Sequence, residues 1–201
     1  MVFLNKEKEI RNMKNKKGFT LIELLAVIVI LGILMLVAIP AVSRTIENAR
    51  RDTFLNTAKS YINAVKNAVA ADEIYCLSSV DTSEEKPISS APNGKYYYGF
   101  DSAETTGKDL MEQGGKSSWA NRDVQGYVSM EKTVDAQGRT TYVYSIEMVD
   151  SSGRGIGTRT VDSSLARSDV KTTGNETQRT APEDTEEDPT KKYYACKIVQ
   201  S

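Results

Sequence analysis

The chain has 201 residues, with 26 lysines and arginines against 27 aspartates and glutamates, for a formal net charge of −1. This balance argues against a nucleic-acid-binding protein, which normally presents a strongly basic face. The sequence contains no histidine, which excludes Ser-His-Asp and Cys-His catalysis and removes the commonest metal ligand. It also shows no metal-ligand cluster and no glycine-rich phosphate loop, so we expect neither an enzyme nor a cofactor.

An apolar segment covers residues 19–42, interrupted only by Thr20, Glu23, Gly32 and Pro40. About 20 apolar residues in a helix span the bilayer core, so this segment is long enough to cross a membrane. Lysines precede it, and the positive-inside rule therefore predicts a cytoplasmic N-terminus and an exported remainder. A secretory signal peptide would have a shorter apolar region. A plain membrane anchor would leave Glu23 unexplained, because a carboxylate at membrane depth costs about 3 kcal/mol.

The stretch KKGFTLIELLAVIVILGIL resembles the prepilin signal of type IV pilins and pseudopilins. In that family a prepilin peptidase cuts after the last glycine of a basic leader and methylates the new N-terminus, and a glutamate lies four residues further on. The resemblance assigns cleavage to Gly18 and Phe19, N-methylation to Phe19 and filament assembly to Glu23. Gly32 and Pro40 fall where the family has its helix-loosening glycine and proline. Pro40 lacks an N–H, so a kink is expected there.

Cleavage before Phe19 gives Glu23 a partner. It creates a free amine, and inside a filament the amine of one subunit can lie near Glu23 of another. Such a pair offsets part of the cost of removing each charge from water. The resemblance implies that this pairing sets the register of the incoming subunit.

The second half of the same helix is amphipathic. Apolar residues recur there at three- and four-residue steps: Leu55, Ala58, Ile62, Val65 and Val69. We expect this stripe to pack on a globular head, in a helix from Phe19 to about Ala71. Arg44, Arg50 and Arg51 follow the apolar segment, either as a solvated face or as partners for acidic residues on neighbouring subunits.

The rest of the chain is predicted to form a small antiparallel sheet. Strands are expected at KYYYGF (residues 95–100) and in the final KYYACKIVQ, and residues 125–150 have the alternation of a hairpin around DAQGR. Residues 77–95 are predicted to be a polar loop, and residues 171–192 a mobile acidic loop. The predicted fold is α+β, with the amphipathic helix packed on the sheet.

Cys76 and Cys196 are the only cysteines, and both lie in the part predicted to be exported. We predict a disulfide that holds the last strand to the end of the long helix. Two buried free thiols remain the alternative, because disulfides depend on an oxidising compartment.

The chain is therefore expected to divide into a cleaved leader 1–18, a transmembrane and filament-core helix 19–42, an amphipathic helix half 43–75 and a β-rich head 76–201. A leader that begins at Met13 would have the length typical of the family, so Met13 is the expected start of translation. The lysine- and asparagine-rich leader suits a low-GC Gram-positive bacterium.

The predicted function is that of a type IV pilin, a structural subunit polymerised into a cell-surface filament. A minor pilin or pseudopilin of a secretion or DNA-uptake system is the alternative, and a membrane-anchored binding protein is a third hypothesis. The expected partners are other copies of the chain, the prepilin peptidase and methylase, the assembly platform with its ATPase, and the membrane. Before assembly the chain should be a single-pass protein of the cytoplasmic membrane with its head outside.

Overall fold

The computed structural model describes residues 18–78, 81–101, 115–176 and 193–198. The chain forms two compact units, Met1–Thr45 and Ile46–Ser201. Helix α1, Leu21–Ala70, contributes its first half to the first unit and its second half to the second. We call the second unit the head.

In the first unit, α1 is helical without interruption through Gly32 and Pro40. Pro40 has no N–H to donate, so its ring removes one bond of the helical ladder. The large apolar side chains in the described part of this unit are exposed, from 47% at Leu31 to 84% at Phe19. A continuous helix can be straight or kinked, so the kink expected at Gly32 and Pro40 stays a prediction.

The head contains a seven-stranded sheet in the order β2-β1-β7-β3-β4-β5-β6. Its neighbouring strands are antiparallel except for the parallel pair β3 and β7, so the predicted α+β fold is confirmed. Two short 3₁₀ helices, Asp162–Ser164 and Arg167–Asp169, follow β6. The strands are β1 Ile74–Ser78, β2 Asp81–Pro87, β3 Gly94–Asp101, β4 Val124–Val134, β5 Thr140–Asp150, β6 Gly155–Val161 and β7 Tyr193–Ile198.

The second half of α1 packs on one face of this sheet. Its buried residues are Phe54, Ala58, Tyr61, Ile62, Val65 and Ala68. The predicted stripe is confirmed at its three central positions, while Leu55 and Val69 are only partly buried. Two aromatic side chains of α1 extend the buried stripe. Tyr61 stacks on Phe100 with ring centroids 4.1 Å apart, and the ring centroids of Phe54 and Trp119 are 5.6 Å apart.

The predicted hairpin is confirmed as β4 and β5, paired from Val124↔Asp150 to Val134↔Thr140. Val128, Met130, Ile146 and Met148 alternate into the core, with Tyr142 and Tyr144 partly buried against it. In the turn, the Asp135 carboxylate accepts hydrogen bonds from the backbone N–H groups of Gln137 and Arg139 at 2.9 and 2.8 Å.

Strands β1, β2 and β6 differ from the sequence prediction. Helix α1 ends at Ala70, and Ile74 and Tyr75 belong to β1 although residues 43–75 were expected to be helical. The predicted polar loop 77–95 contains β2, an edge strand whose sequence DTSEEKP has no apolar alternation and carries the charged residues and proline that are common on edge strands. Two glycines shape the entry into β6: Gly153 in the turn has φ 74°, and a Cβ at Gly155, the first residue of β6, would lie 2.4 Å from the Met148 carbonyl oxygen.

The predicted mobile loop 171–192 begins with an attached segment. Lys171 and Gly155 exchange two backbone hydrogen bonds, and Glu176 N–H donates to the Gly153 carbonyl at 3.0 Å. Residues 171–176 are therefore held against the start of β6. Residues 177–192 lie outside the described residues. They include the acidic residues of the predicted loop: Glu183, Asp184, Glu186, Glu187 and Asp188.

Strand β7 comes last in the chain and lies in the interior of the sheet, between β1 and β3. In the antiparallel pair of β1 with β7, Cys76 is directly opposite Cys196. Their sulfurs form a disulfide with an S–S distance of 2.03 Å across a sequence separation of 120. The bridge therefore joins the central last strand to the strand that follows the long helix.

Candidate processing and assembly site

The predicted cleavage junction lies just outside the helix. Gly18, Phe19 and Thr20 have no regular secondary structure, and α1 begins at Leu21. The Phe19 side chain is 84% exposed. The peptide bond between Gly18 and Phe19 is therefore on an accessible, non-helical segment that an enzyme can bind.

The fold itself gives no reason for a glycine at position 18. A Cβ built on Gly18 meets no described atom within 4 Å, and its φ lies outside the left-handed region that favours glycine. Recognition of this residue by another molecule would explain the glycine. That explanation agrees with the resemblance of this segment to the prepilin cleavage site.

Glu23 belongs to a capping box at the start of α1. Its Oε2 accepts hydrogen bonds from Thr20 N–H at 2.8 Å and from Thr20 Oγ1 at 2.7 Å. In return, Glu23 N–H donates to Thr20 Oγ1 at 3.3 Å. This reciprocal arrangement satisfies donors that the first turn of a helix otherwise leaves without partners.

Thr20 is the residue that the sequence analysis missed. The signal was present as TLIE, a threonine three residues before a glutamate at the head of an apolar run, which is the capping-box signature. The hydrogen bonds donated by the Thr20 N–H and by the Thr20 hydroxyl both reach Oε2, and among the described residues Oε1 of Glu23 accepts no hydrogen bond. The carboxylate is thus oriented by its own chain while one oxygen remains accessible to a second donor.

The apolar surface around this carboxylate needs a non-aqueous environment. From Phe19 to Ile39 every large apolar side chain is about half or more exposed. Among the described residues, α1 is the one helix long and apolar enough to cross a membrane. An exposed apolar surface of this extent requires lipid or other protein chains to cover it.

The arginines beyond the apolar segment have different surroundings. Arg44 and Arg50 are exposed, whereas Arg51 is partly buried and donates from Nη2 to Thr172 Oγ1 at 3.4 Å. Among the described residues, none of the three forms an ion pair with a carboxylate. In the described part of the chain, no group of three cysteine, aspartate or glutamate side chains is placed to hold a metal ion.

Comparison with known proteins gives one match. Residues 13–39 fit the family model described as the prokaryotic N-terminal methylation motif. No curated protein and no solved structure is detectably similar to the chain. The match includes Gly18, Phe19, Thr20 and Glu23, and it includes none of the head.

Proposed function

We propose that this chain, which carries the prepilin signal of type IV pilins and pseudopilins, is a structural subunit of a bacterial cell-surface filament. It is cut after Gly18, methylated at Phe19 and polymerised through helix α1. The observation that carries the proposal is the methylation motif on an exposed apolar segment, residues 19–42, whose one carboxylate is Glu23. The role is structural rather than catalytic.

The proposal gives the subunit two states. In the membrane, the N–H and hydroxyl of Thr20 hold Glu23 Oε2, which lowers the cost of a carboxylate in an apolar segment. In the filament, the Phe19 amine of a neighbouring subunit approaches Oε1. The pair then stabilises one register of the two helices, because any other register leaves both charges buried without a partner.

The partners of the chain belong to the same proposal. A prepilin peptidase acts on the leader and on the new N-terminus, and a platform protein with an ATPase moves the subunit from the membrane into the filament. The chain lies in the cytoplasmic membrane with its N-terminus inside and its head outside, and then on the cell surface. The family resemblance of the N-terminal motif supports each of these steps.

The test uses Glu23→Gln in cells that make the filament. We expect the variant chain to insert and to lose its leader, because neither step needs the carboxylate charge. It should be absent from sheared surface filaments, because the neighbouring amine then has no anionic partner. Leader removal is measured by mass spectrometry, and filaments are measured by immunoblotting of the sheared fraction.

Glu47→Gln is the matched control, since Glu47 is a partly buried glutamate of the same helix beyond the apolar segment. This variant should assemble like the wild type. Filament yield from Glu23→Gln cells equal to that from wild-type cells would contradict the proposed pairing. The copy number of the chain in purified filaments separates a major subunit from a minor one.

A further inference from the structure

One end of the head carries a cluster of cations, which we call the basal patch: Arg50, Arg51, Arg154 and Lys171. Two of them converge on one residue. Arg51 Nη2 donates to Thr172 Oγ1 at 3.4 Å, and Arg154 Nε donates to the Thr172 carbonyl at 3.1 Å. Arg50 and Lys171 are exposed. The patch therefore joins helix α1 to the β5–β6 turn and to the segment after the 3₁₀ helices.

The positive charge of the patch is not neutralised within the described residues. None of its four cations forms an ion pair there, and Arg51 Nε is buried without a hydrogen-bond partner. The carboxylates near these residues in sequence are occupied: Asp52 binds Arg167 through two bonds of 2.5 Å, and Asp150 accepts from Ser117, Ser152 and the Arg154 N–H.

The position of the patch along the chain indicates which anion it meets. Arg50 and Arg51 follow Val42, the last residue of the apolar segment, by eight and nine residues of the same helix. In sequence they are thus among the first residues beyond the segment proposed to cross the membrane, and lipid headgroups form the surface of the bilayer on each side.

We propose that the basal patch binds the phosphate groups of anionic phospholipids while the subunit is still in the membrane. Guanidinium groups match the geometry of phosphate oxygens through paired N–H donors. Anionic lipids also attract basic residues that lie close to the bilayer surface. This inference rests on the proposed membrane-inserted state, and it adds a contact that the subunit has to release when it enters the filament.

The test titrates the full-length chain, in neutral detergent micelles, with phosphatidylglycerol, phosphatidylcholine or inorganic phosphate. Trp119 is the only tryptophan and reports on this end of the head, because the neighbouring Ser118 Oγ donates to the Arg50 carbonyl at 2.7 Å. Binding is followed by Trp119 emission and by native mass spectrometry of retained lipid. The wild type should prefer phosphatidylglycerol, and 0.5 M NaCl should abolish that preference through screening.

The double variant R51Q/R154Q should bind phosphatidylglycerol roughly 25-fold more weakly, since each basic residue near an anionic surface contributes a factor of about five. The variant R50Q/K171Q removes the same charge from exposed side chains, and it should show a similar loss without disturbing the fold. The matched control is K95Q/R139Q, two cations at the opposite end of the sheet, which should bind like the wild type.

Three results for lipid binding, and a fourth for filament yield, would overturn the proposal. The three binding results come first. They are equal binding of both lipids, an equal loss in the control variant, and inorganic phosphate binding as tightly as phosphatidylglycerol. If R51Q/R154Q binds lipid normally but lowers filament yield, the patch contacts an acidic surface of a neighbouring subunit and the lipid proposal is wrong. The outcome of the Glu23→Gln experiment is independent of these results, because that experiment measures leader cleavage and filament formation and does not measure lipid binding.

Discussion

The Cys76–Cys196 bridge gives the most quantitative prediction for the head. The two cysteines are separated by 120 positions, and closing a loop of that length removes unfolded-state entropy worth about 5 kcal/mol at 25 °C in the chain-entropy model. This is an upper value, because real unfolded chains are already compact. Typical domains have a total stability of only about 5–15 kcal/mol, so the bridge should supply a large share.

The Cys76–Cys196 disulfide is removed in two ways, by chemical reduction of the wild-type protein and by the double variant C76A/C196A. Urea unfolding is followed by Trp119 emission, and amide exchange is measured in β7. We expect the free energy of unfolding to fall by about 3–5 kcal/mol on reduction. The reduced wild type keeps both sulfur atoms in place, so its difference from the oxidised protein isolates the bridge from the packing of the side chains.

A difference below about 1 kcal/mol would refute the reasoning, because an effect that small lies under the typical range for a native bridge. Unchanged exchange protection in β7 on reduction would refute the claim that the bridge holds the last strand. Labelling of two thiols in the native protein without reductant would exclude the bridge itself.

Three further predictions concern the head. Lys132→Met should lower the free energy of unfolding by about 2–4 kcal/mol in urea, because Lys132 Nζ donates to the carbonyls of Ile88, Ser89 and Ala91 at 2.9, 2.7 and 2.6 Å. Burial alone would raise the pKa of Asp150, but hydrogen bonds from Ser152, Arg154 N–H and Ser117 outweigh it and hold that pKa below its ordinary value. Asp150 therefore stabilises the head above about pH 4, and this stabilisation is lost as the pH falls through the folded-state pKa. Asp150→Asn should therefore lower the melting temperature at pH 7, and the difference from the wild type should shrink as thermal unfolding is repeated down to about pH 2. Gly126→Ala should lower the melting temperature sharply, because its Cβ would lie 2.0 Å from the Glu147 carbonyl oxygen.

The sequence was sufficient wherever a pattern is local. The apolar segment is a continuous run long enough to span a membrane. The stripe through Ala58, Ile62 and Val65 and the hairpin of β4 and β5 each repeat with the period of their own element. The polar edge strand β2 has no such period. The turn glycines Gly153 and Gly155 are explained by backbone that approaches from elsewhere in the chain.

The candidate assembly site was predicted from a motif, and its local geometry was not. Gly18, Phe19 and Glu23 were assigned by resemblance, and their roles in cleavage and assembly remain proposals. The bond from Thr20 to Glu23 follows from the capping-box spacing, a purely local rule. The convergence of Arg51 and Arg154 on Thr172 joins residues more than 100 positions apart, which no local pattern predicts.

The central place of β7 has a consequence for the order of events during export. If the chain crosses the membrane from its N-terminal end, β1 to β6 emerge while the position between β1 and β3 is still empty. Until Tyr193–Ile198 arrives, β1 and β3 each expose an unpaired edge, and such edges favour aggregation. Under that order of export the head completes its sheet only after Tyr193–Ile198 has been translocated, so a subunit stalled or truncated before β7 cannot acquire the native sheet.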